Sequence, residues 1–402
     1  MSSRRVVFVC HTVAGESLRS ANAIAKLDGV TLGIVSHVHD TEQLIAAAQS
    51  YGNLYKIVTT HEALLLPVAE ANEALGVTAM SSETVKRTLD KSQLKAILKQ
   101  AGIKTPRDQI VTTAEDAQRF ASEVGFPIVI KPTGGSGALT TFRVDNEEQL
   151  AQVLQLIQPP VIAEAFALGQ ELCFDTITLD NEPQFYTLCE YNPSIIEALQ
   201  NPETQWRCVM PREIDDKYRG FITQGLAAVR ALQVGNAMTH MEGFVNGGFI
   251  DATLRPAGAR IAPMFGFACD VDPYRVWARI VIDGCFDGPL ERKFAVGTIF
   301  LRGLGSGLVE NVAGIDSVRE KLGGSVVEAH WPKLGAAKSP TYTGDGFVTV
   351  RHADIGVVEE ALALIDRTIK ITYTSSKPDS QSINTRLRNY KSLNKPAWEA
   401  TL

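Results

Sequence analysis

Few residues in this chain combine the type and spacing that chemistry needs, and they fall in three places. Lys131 ends the apolar run Phe126-Pro-Ile-Val-Ile-Lys131 and meets the loop Pro132-Thr-Gly-Gly-Ser-Gly137. Backbone N–H groups exposed by glycine and an ammonium at such a junction suit a phosphate. A strand-ending lysine before a flexible turn is the plainer alternative. The loop lacks GxxxxGK[ST], so it is not a Walker A motif. Lys91 stands just inside a predicted helix N-terminus, where the macrodipole disfavours a cation. A surface lysine is the ordinary explanation, and a nucleotide phosphate is the one that would justify the position. Glu242 and Asp251, nine positions apart, flank Asn246-Gly247, a strong hairpin turn signal. Two antiparallel strands could bring both carboxylates together, and such a pair repels itself unless a cation lies between. Hard oxygen ligands around a partly hydrated site favour Mg2+ or Mn2+. Arg255, four residues beyond Asp251, could stabilise charge on a transferred phosphoryl group. A solvated hairpin with scattered charges remains the alternative.

The 402 residues are 45% hydrophobic and 21% charged, which rules out wholesale disorder. That length suggests two or three domains. The 39 Lys and Arg against 45 Asp and Glu give a net charge of −6, against a dedicated nucleic-acid binder with a basic face. No apolar run approaches the roughly 20 residues that span a bilayer, and about five apolar residues before His11 are too few for a signal peptide. The six cysteines (Cys10, Cys173, Cys189, Cys208, Cys269, Cys285) include no CxxC pair and are expected to be reduced core thiols of a cytoplasmic protein.

Several elements must position the candidate residues. Arg5 to Val9 and Thr31 to Val35 read as buried strands, with helix-compatible segments at Ala21 to Leu27 and Leu44 to Ala48. This rhythm implies a small parallel sheet over about residues 1–80. The loop after its first strand, Cys10-His-Thr-Val-Ala-Gly15, lacks GxGxxG, so no dinucleotide site is expected there. Asp90 can cap a helix with Leu94, Ile97, Leu98 and Ala101 on one face, which Gly102 ends. Thr113 precedes a second, with Ala117, Phe120, Ala121 and Val124. Asp145 and Glu148 are expected to form a capping box before Leu150, Val153, Leu154 and Ile157. Val161 to Phe166 is strand-like, so residues 105–166 should form a small α+β lobe with a glycine-rich tip. The rest alternates strands and a few helices, and after Tyr373 the chain turns polar and carries a net charge of +3. That tail should be a peripheral arm packed on its own domain or on a partner subunit.

Taken in order, these signals resemble the ATP-grasp superfamily over roughly residues 1–300. Leu89 to Pro106 looks like that family's entry helix, whose lysine, here Lys91, contacts ATP phosphate. Val129-Ile-Lys-Pro-Thr-Gly-Gly-Ser-Gly137 matches the second phosphate lysine, Lys131, and a nucleotide-covering loop that includes Gly134, Gly135 and Ser136. Val161-Ile-Ala-Glu-Ala-Phe-Ala-Leu-Gly-Gln-Glu171 is similar to the hinge segment. The resemblance implies that Glu164, Ala165, Phe166 and Ala167 meet adenine, partly through main chain, and that Glu171 accepts the ribose hydroxyls. Thr239 to Glu242 and Phe249 to Arg255 look like the metal-binding hairpin, with Glu242, Asp251 and Thr253 at the ligand positions. Two departures stand out: Asp251 replaces the usual Glu, and Thr253 stands where Asn is normal. Either could weaken one of two metal sites.

The resemblance implies an α/β fold. A Rossmann-like N-terminal domain (1–85) precedes a linker helix and lid lobe (86–166) and a large lobe carrying the metal hairpin (167–374). A polar tail (375–402) follows. It further implies an ATP-dependent ligase using Mg2+ (or Mn2+) that joins a carboxylate, an amino acid or small carboxylic acid, to an amine through an acylphosphate. The strand-rich segment from about 290, with a helix bearing Val357, Ala361 and Ile365, looks like the L-amino-acid ligase branch. A biotin-carboxylase-like or purine-pathway-like enzyme, or a nucleotide-binding regulatory module without turnover, are the alternatives; Thr253 keeps the last one open. Arg260, Trp206 and Arg207 are candidates for substrate contacts, small molecules are the expected partners, and a homodimer is one option. Two signals are discounted: His37-Val-His39 lacks a third ligand nearby, and Gly303-Leu-Gly-Ser-Gly307 reads as a hairpin turn.

Overall fold

The computed structural model describes residues 4–38, 40–133, 141–157 and 160–377. In chain order its strands are β1 (Arg4–Cys10), β2 (Val30–Ser36), β3 (Lys56–Thr59), β4 (Asp108–Val111), β5 (Ile128–Pro132), β6 (Phe142–Val144), β7 (Val161–Ala165), β8 (Glu171–Leu179) and β9 (Glu182–Asn192). They continue with β10 (Trp206–Met210), β11 (Ala237–Phe244), β12 (Gly248–Thr253), β13 (Ala295–Leu301), β14 (Ser306–Ala313), β15 (Val326–His330), β16 (Gly346–His352) and β17 (Lys370–Ser375). Two compact units are built from interleaved stretches: Met1–Thr105, Leu172–Leu188 and Ile214–Arg292 in the first; Pro106–Glu171, Cys189–Glu213 and Lys293–Leu402 in the second.

In the first unit, β1 pairs in parallel with β2 and β3 to give the order β2-β1-β3, as the apolar N-terminal runs imply. Val6 to Val9 are fully buried, because helices cover the sheet and leave no solvated face to alternate with. The same unit contains the neighbouring strands β12-β11-β8, of which β11 and β12 pair antiparallel. The helix Lys91–Gln100 begins at Asp90, whose carboxylate accepts from the N–H groups of Ser92 and Gln93. It buries Leu94 and Leu98 in one core with Met241, Phe249, Ala252 and Leu254. Packing that apolar stripe against β11 and β12 sets Lys91, at the first turn, beside the hairpin. No helix among the described residues is long and apolar enough to cross a membrane.

In the second unit, β4-β7-β5-β6 is an antiparallel sheet covered by the helices Ala114–Val124 and Glu147–Leu156. Phe120, Ile128, Ile130, Phe142, Leu150 and Val153 fill its core. Thr113 caps the first helix as expected. The second is capped by Asn146, not Asp145: Asn146 Oδ1 accepts from Gln149 N (3.0 Å), while the Asp145 N–H donates to Gln149 Oε1 (2.8 Å). Asn146 occupies the extended N-cap conformation, and the Gln149 side chain reaches the Asp145 N–H instead of the N-cap N–H, so the expected capping box of Asp145 and Glu148 does not form.

The same unit holds β10, β13, β16 and β15 in that order, and a separate β14-β17 pair. The expected helix bearing Val357, Ala361 and Ile365 is Ile355–Thr368, which buries Val358, Ala361, Leu362 and Ile365 and leaves Val357 37% exposed. The segment Gly303–Gly307 is not a hairpin turn, because β14 pairs with β17 instead of β13. Its glycines serve a close approach: a Cβ on Gly305 (φ +125°) would lie 2.6 Å from the Ser375 carbonyl. Five cysteines are buried thiols, but Cys285 is exposed, against the expectation for all six. His39, Gly134, Gly135, Ser136 and the tail from 378 lie outside the described residues.

Candidate functional site

The first unit gathers the candidate metal ligands Glu242, Asp251 and Thr253 on one hairpin, with Lys91 against Asp251. Side chains two apart on a strand share a face, and β11 and β12 are in a register that sets Glu242 opposite Asp251 and His240 opposite Thr253. The nine-residue spacing therefore brings the two carboxylates together as expected. Their repulsion is offset by two protein cations. Lys91 Nζ lies 2.6 Å from Asp251 Oδ2, and His240 Nε2 lies 3.4 Å from Glu242 Oε1. Lys91 is only 7% exposed, so its placement at a helix start is explained at least in part by Asp251.

Thr253 tests whether the face suits a hydrated metal ion. Its Oγ1 is buried and has no hydrogen-bond partner among the described residues. Leaving a hydroxyl unpaired costs about 1–3 kcal/mol. An orphaned hydroxyl beside two carboxylates fits an oxygen-ligated cation or its water, and the residues present suit Mg2+ or Mn2+.

The hairpin owes its shape to one glycine. The turn spans Val245–Gly247, and Gly248, at φ +84°, starts β12. A Cβ there would lie 2.1 Å from the Lys104 carbonyl oxygen, which accepts from Phe249 N (3.0 Å). The Lys104 ammonium in turn donates to the Asn246 carbonyl. Gly248→Ala is expected to cost more than the 1–3 kcal/mol of a left-handed non-glycine residue alone, seen as a lowered thermal midpoint; an unchanged midpoint would refute this account of the turn.

Arg255 does not face the carboxylate pair in this structure. Its Nη2 and Nε donate to Glu62 Oε2 (2.8 and 3.2 Å) and its Nη1 to the Pro256 carbonyl (3.0 Å). Glu62 opens the helix Glu62–Ala74, a partner 193 positions away that sequence reading missed. Next to it, His61 contacts Ser17 Oγ through Nε2 (2.8 Å), and burial, His11 and Arg255 depress its pKa. Arg260 sits in a left-handed backbone conformation (φ 65°, ψ 2°) at the start of the helix Ile261–Cys269, its Nη1 3.9 Å from Glu16 Oε1.

In the second unit, Lys131 Nζ lies 2.8 Å from Glu164 Oε1, with side-chain exposures of only 7% and 4%. The two residues belong to the paired strands β5 and β7. Glu164 therefore spends its side chain on Lys131. Ala165, Phe166 and Ala167 follow, half-buried, with the Arg143 guanidinium 4.7 Å above the Phe166 ring. Glu171 is buried, and its Oε2 accepts from Ile195 N (2.8 Å) at the start of the helix Ile195–Gln200. Arg207 is half-buried on β10. Trp206 must be dropped as a substrate contact: it is fully buried, stacked on Phe300 (5.0 Å) with Tyr342 and Tyr191 edge-on.

Sequence reading also missed Cys173 and Asp175 on β8 and His240 on β11. His240 Nδ1 lies 2.7 Å from Asp175 Oδ1, and the Cys173 thiol donates to Asp175 Oδ2 (3.1 Å). Burial opposes the charged imidazole, yet Asp175, with Cys173 and Glu242, outweighs it and raises the His240 pKa well above its ordinary range. The signal available was the repeated i, i+2 pattern: Cys-Phe-Asp175, His240-Met-Glu and Asp251-Ala-Thr on strands in the order β8, β11, β12.

Comparisons with known proteins bear on the fold. Residues 90–175 match the family described as carbamoyl-phosphate synthase L chain, ATP binding domain. The chain is 32% identical over 92 residues to alanine–anticapsin ligase of Bacillus subtilis (strain 168), which covers 23% of this chain and 19% of that protein. It is 25% identical over 195 residues to an L-arginine-specific L-amino acid ligase of Bacillus subtilis, 46% of either chain. The chain thus spans less than half the length of these curated relatives. The solved L-amino acid ligase from Bacillus licheniformis superposes with a TM-score of 0.73 at 17% identity, covering 93% of this chain and 100% of that one.

Proposed function

We propose that this chain, whose fold is that of the ATP-grasp ligases, joins a carboxylate to an amine at the cost of ATP, releasing ADP and phosphate. The observation that carries the reading is the cross-strand pair Glu242 and Asp251, with the orphaned Thr253 hydroxyl on the same face and Lys91 against Asp251. The relatives support an L-amino-acid ligase-like choice of substrates, with an amino acid or small carboxylic acid as the carboxylate. The division expected from the sequence is kept as part of the proposal: 1–85, lid lobe 86–166, large lobe 167–374 and tail 375–402.

A substrate carboxylate oxygen attacks the γ-phosphorus, and the bond from that phosphorus to the bridging oxygen breaks, so ADP leaves. The amine nitrogen then attacks the acyl carbon of the acylphosphate, the C–O bond to phosphate breaks, and the amine proton departs. The protein must neutralise the polyphosphate and hold the partners in line. Lys91 and Lys131 supply the positive charge, and Glu164 fixes Lys131. Glu242, Asp251 and Thr253 would hold Mg2+ or Mn2+, which when bound offsets phosphate charge. Ala165, Phe166 and Ala167 would receive the adenine and Glu171 the ribose. Gly134, Gly135 and Ser136 would cover the phosphates. Arg255, once released from Glu62, would reach the developing charge, and Arg260 and Arg207 are positions for substrate carboxylates. No protein nucleophile is required.

The test is ADP and phosphate release with ATP and Mg2+ over a panel pairing amino acids and small carboxylic acids with amines. Release is expected only when a carboxylate and an amine are both present. Tight ATP binding with no ADP formed for any pair would overturn the ligase reading in favour of a nucleotide-binding module.

A further inference from the structure

We propose that Cys173, Asp175 and His240 form a binding site for a divalent cation of the zinc class, next to the carboxylate pair and distinct from it. Three observations combine. One ligand atom from each residue lies within 4.8 Å of the other two, the one such convergence of three among the described residues. The site is enclosed: Cys173 is fully buried and the side chains of Asp175 and His240 are 12% exposed. Finally, the thiol hydrogen of Cys173 and the Nδ1 hydrogen of His240 are both donated to the same carboxylate, at 3.1 and 2.7 Å. Two protons aimed at one acceptor mark a space that a cation can take.

The exchange balances. A divalent ion that takes the place of the thiol and Nδ1 protons is held by a thiolate, an imidazole nitrogen and a carboxylate, and the displaced protons pass to solvent. The two anionic donors offset the 2+ charge of the ion, so no uncompensated charge is buried, which is the usual obstacle to loading an enclosed site. Sulfur, nitrogen and oxygen donors together select zinc-like ions over Mg2+, which demands oxygen ligands.

The other ring nitrogen completes the pattern. His240 Nε2 lies 3.4 Å from Glu242 Oε1, the carboxylate–histidine–metal arrangement that fixes the tautomer of a ligating imidazole. A cation on Nδ1 would leave Nε2–H donated to Glu242 and hold that carboxylate in place. Strand geometry supplies the preorganisation: Cys173 and Asp175 are two apart on β8, His240 and Glu242 two apart on β11, and the two strands are neighbours.

The experiment needs no turnover, so its failure leaves the ATP-dependent reading untouched. The full-length chain carrying Cys285→Ser, which removes the exposed thiol, is stripped with a chelator under reducing conditions and titrated with Co2+. Binding of one Co2+ per chain is expected, with an intense thiolate-to-cobalt charge-transfer band that Zn2+ bleaches and excess Mg2+ does not. Cys173→Ser should lose the band. Glu242→Gln, which removes the carboxylate facing Nε2 but none of the three ligands, should weaken Zn2+ binding by roughly ten- to a hundredfold. Absence of the band in the folded parent protein overturns the proposal without recourse to any ligand variant. A band that persists in folded Cys173→Ser overturns it as well.

Discussion

Lys131→Met is expected to abolish ADP formation and to destabilise the fold at the same time, whereas the double variant Lys131→Met/Glu164→Leu should regain stability and remain inactive. Lys131 and Glu164 form a 2.8 Å pair with side chains 7% and 4% exposed. Removing one member of such a pair strands a charge in a low-dielectric interior, at about 3–5 kcal/mol. Replacing both with apolar residues of similar volume is often neutral or stabilising. If Lys131 exists to hold phosphate, stability and turnover must separate: the double variant keeps the parental thermal midpoint but loses about 10²–10³ in kcat, the cost of deleting one preorganised charge-stabilising donor. If the pair is only structural, the double variant turns over at the parental rate, and the phosphate assignment is wrong. The single variant alone cannot decide this, which is why Glu164 matters: Lys131 stands out in the sequence, whereas its ion-pair partner does not.

That difference illustrates what one sequence makes legible. Punctuation was readable wherever cause and effect lie within one element. Asp90 before Leu94 and Leu98 predicts the helix that carries Lys91, and Asn246-Gly247 between apolar runs predicts the hairpin that brings Glu242 to Asp251. The local error was a shift of one residue at a helix start, Asn146 for Asp145, because adjacent polar residues compete for the same cap. The pairings that govern electrostatics were not readable. Lys131 meets Glu164 across 33 positions, Lys91 meets Asp251 across 160, and Arg255 meets Glu62 across 193. Each depends on which strands and helices become neighbours, and strand order is a tertiary outcome. Cys173 and Asp175 illustrate the same limit: their i, i+2 spacing was visible, but its meaning appears only once β8 lies beside β11.

Asp251→Asn is expected to be nearly as damaging to turnover as loss of Lys131, but through the metal and with a different signature. The substitution keeps the side chain's volume and one carbonyl oxygen while removing the charge. Lys91 loses the carboxylate 2.6 Å away, yet Asp251 is 32% exposed, so water can reach the ammonium and the stability cost should be well below that of a fully buried pair. ADP formation should fall by about 10²–10³ at fixed low Mg2+, and the Mg2+ concentration for half-maximal rate should rise, so that part of the loss is recovered at high Mg2+. Asp251→Glu lengthens the ligand by one methylene, keeps the charge, and should retain most of the activity. The informative comparison is with Lys91→Met/Asp251→Asn. If Lys91 serves only to balance Asp251, removing both charges restores the parental rate and its Mg2+ dependence. If Lys91 also meets the polyphosphate, the double variant is slower than either single variant and no Mg2+ concentration rescues it. Parental turnover of Asp251→Asn at low Mg2+ would remove Asp251 from the metal site altogether and leave its pairing with Lys91 as a structural contact.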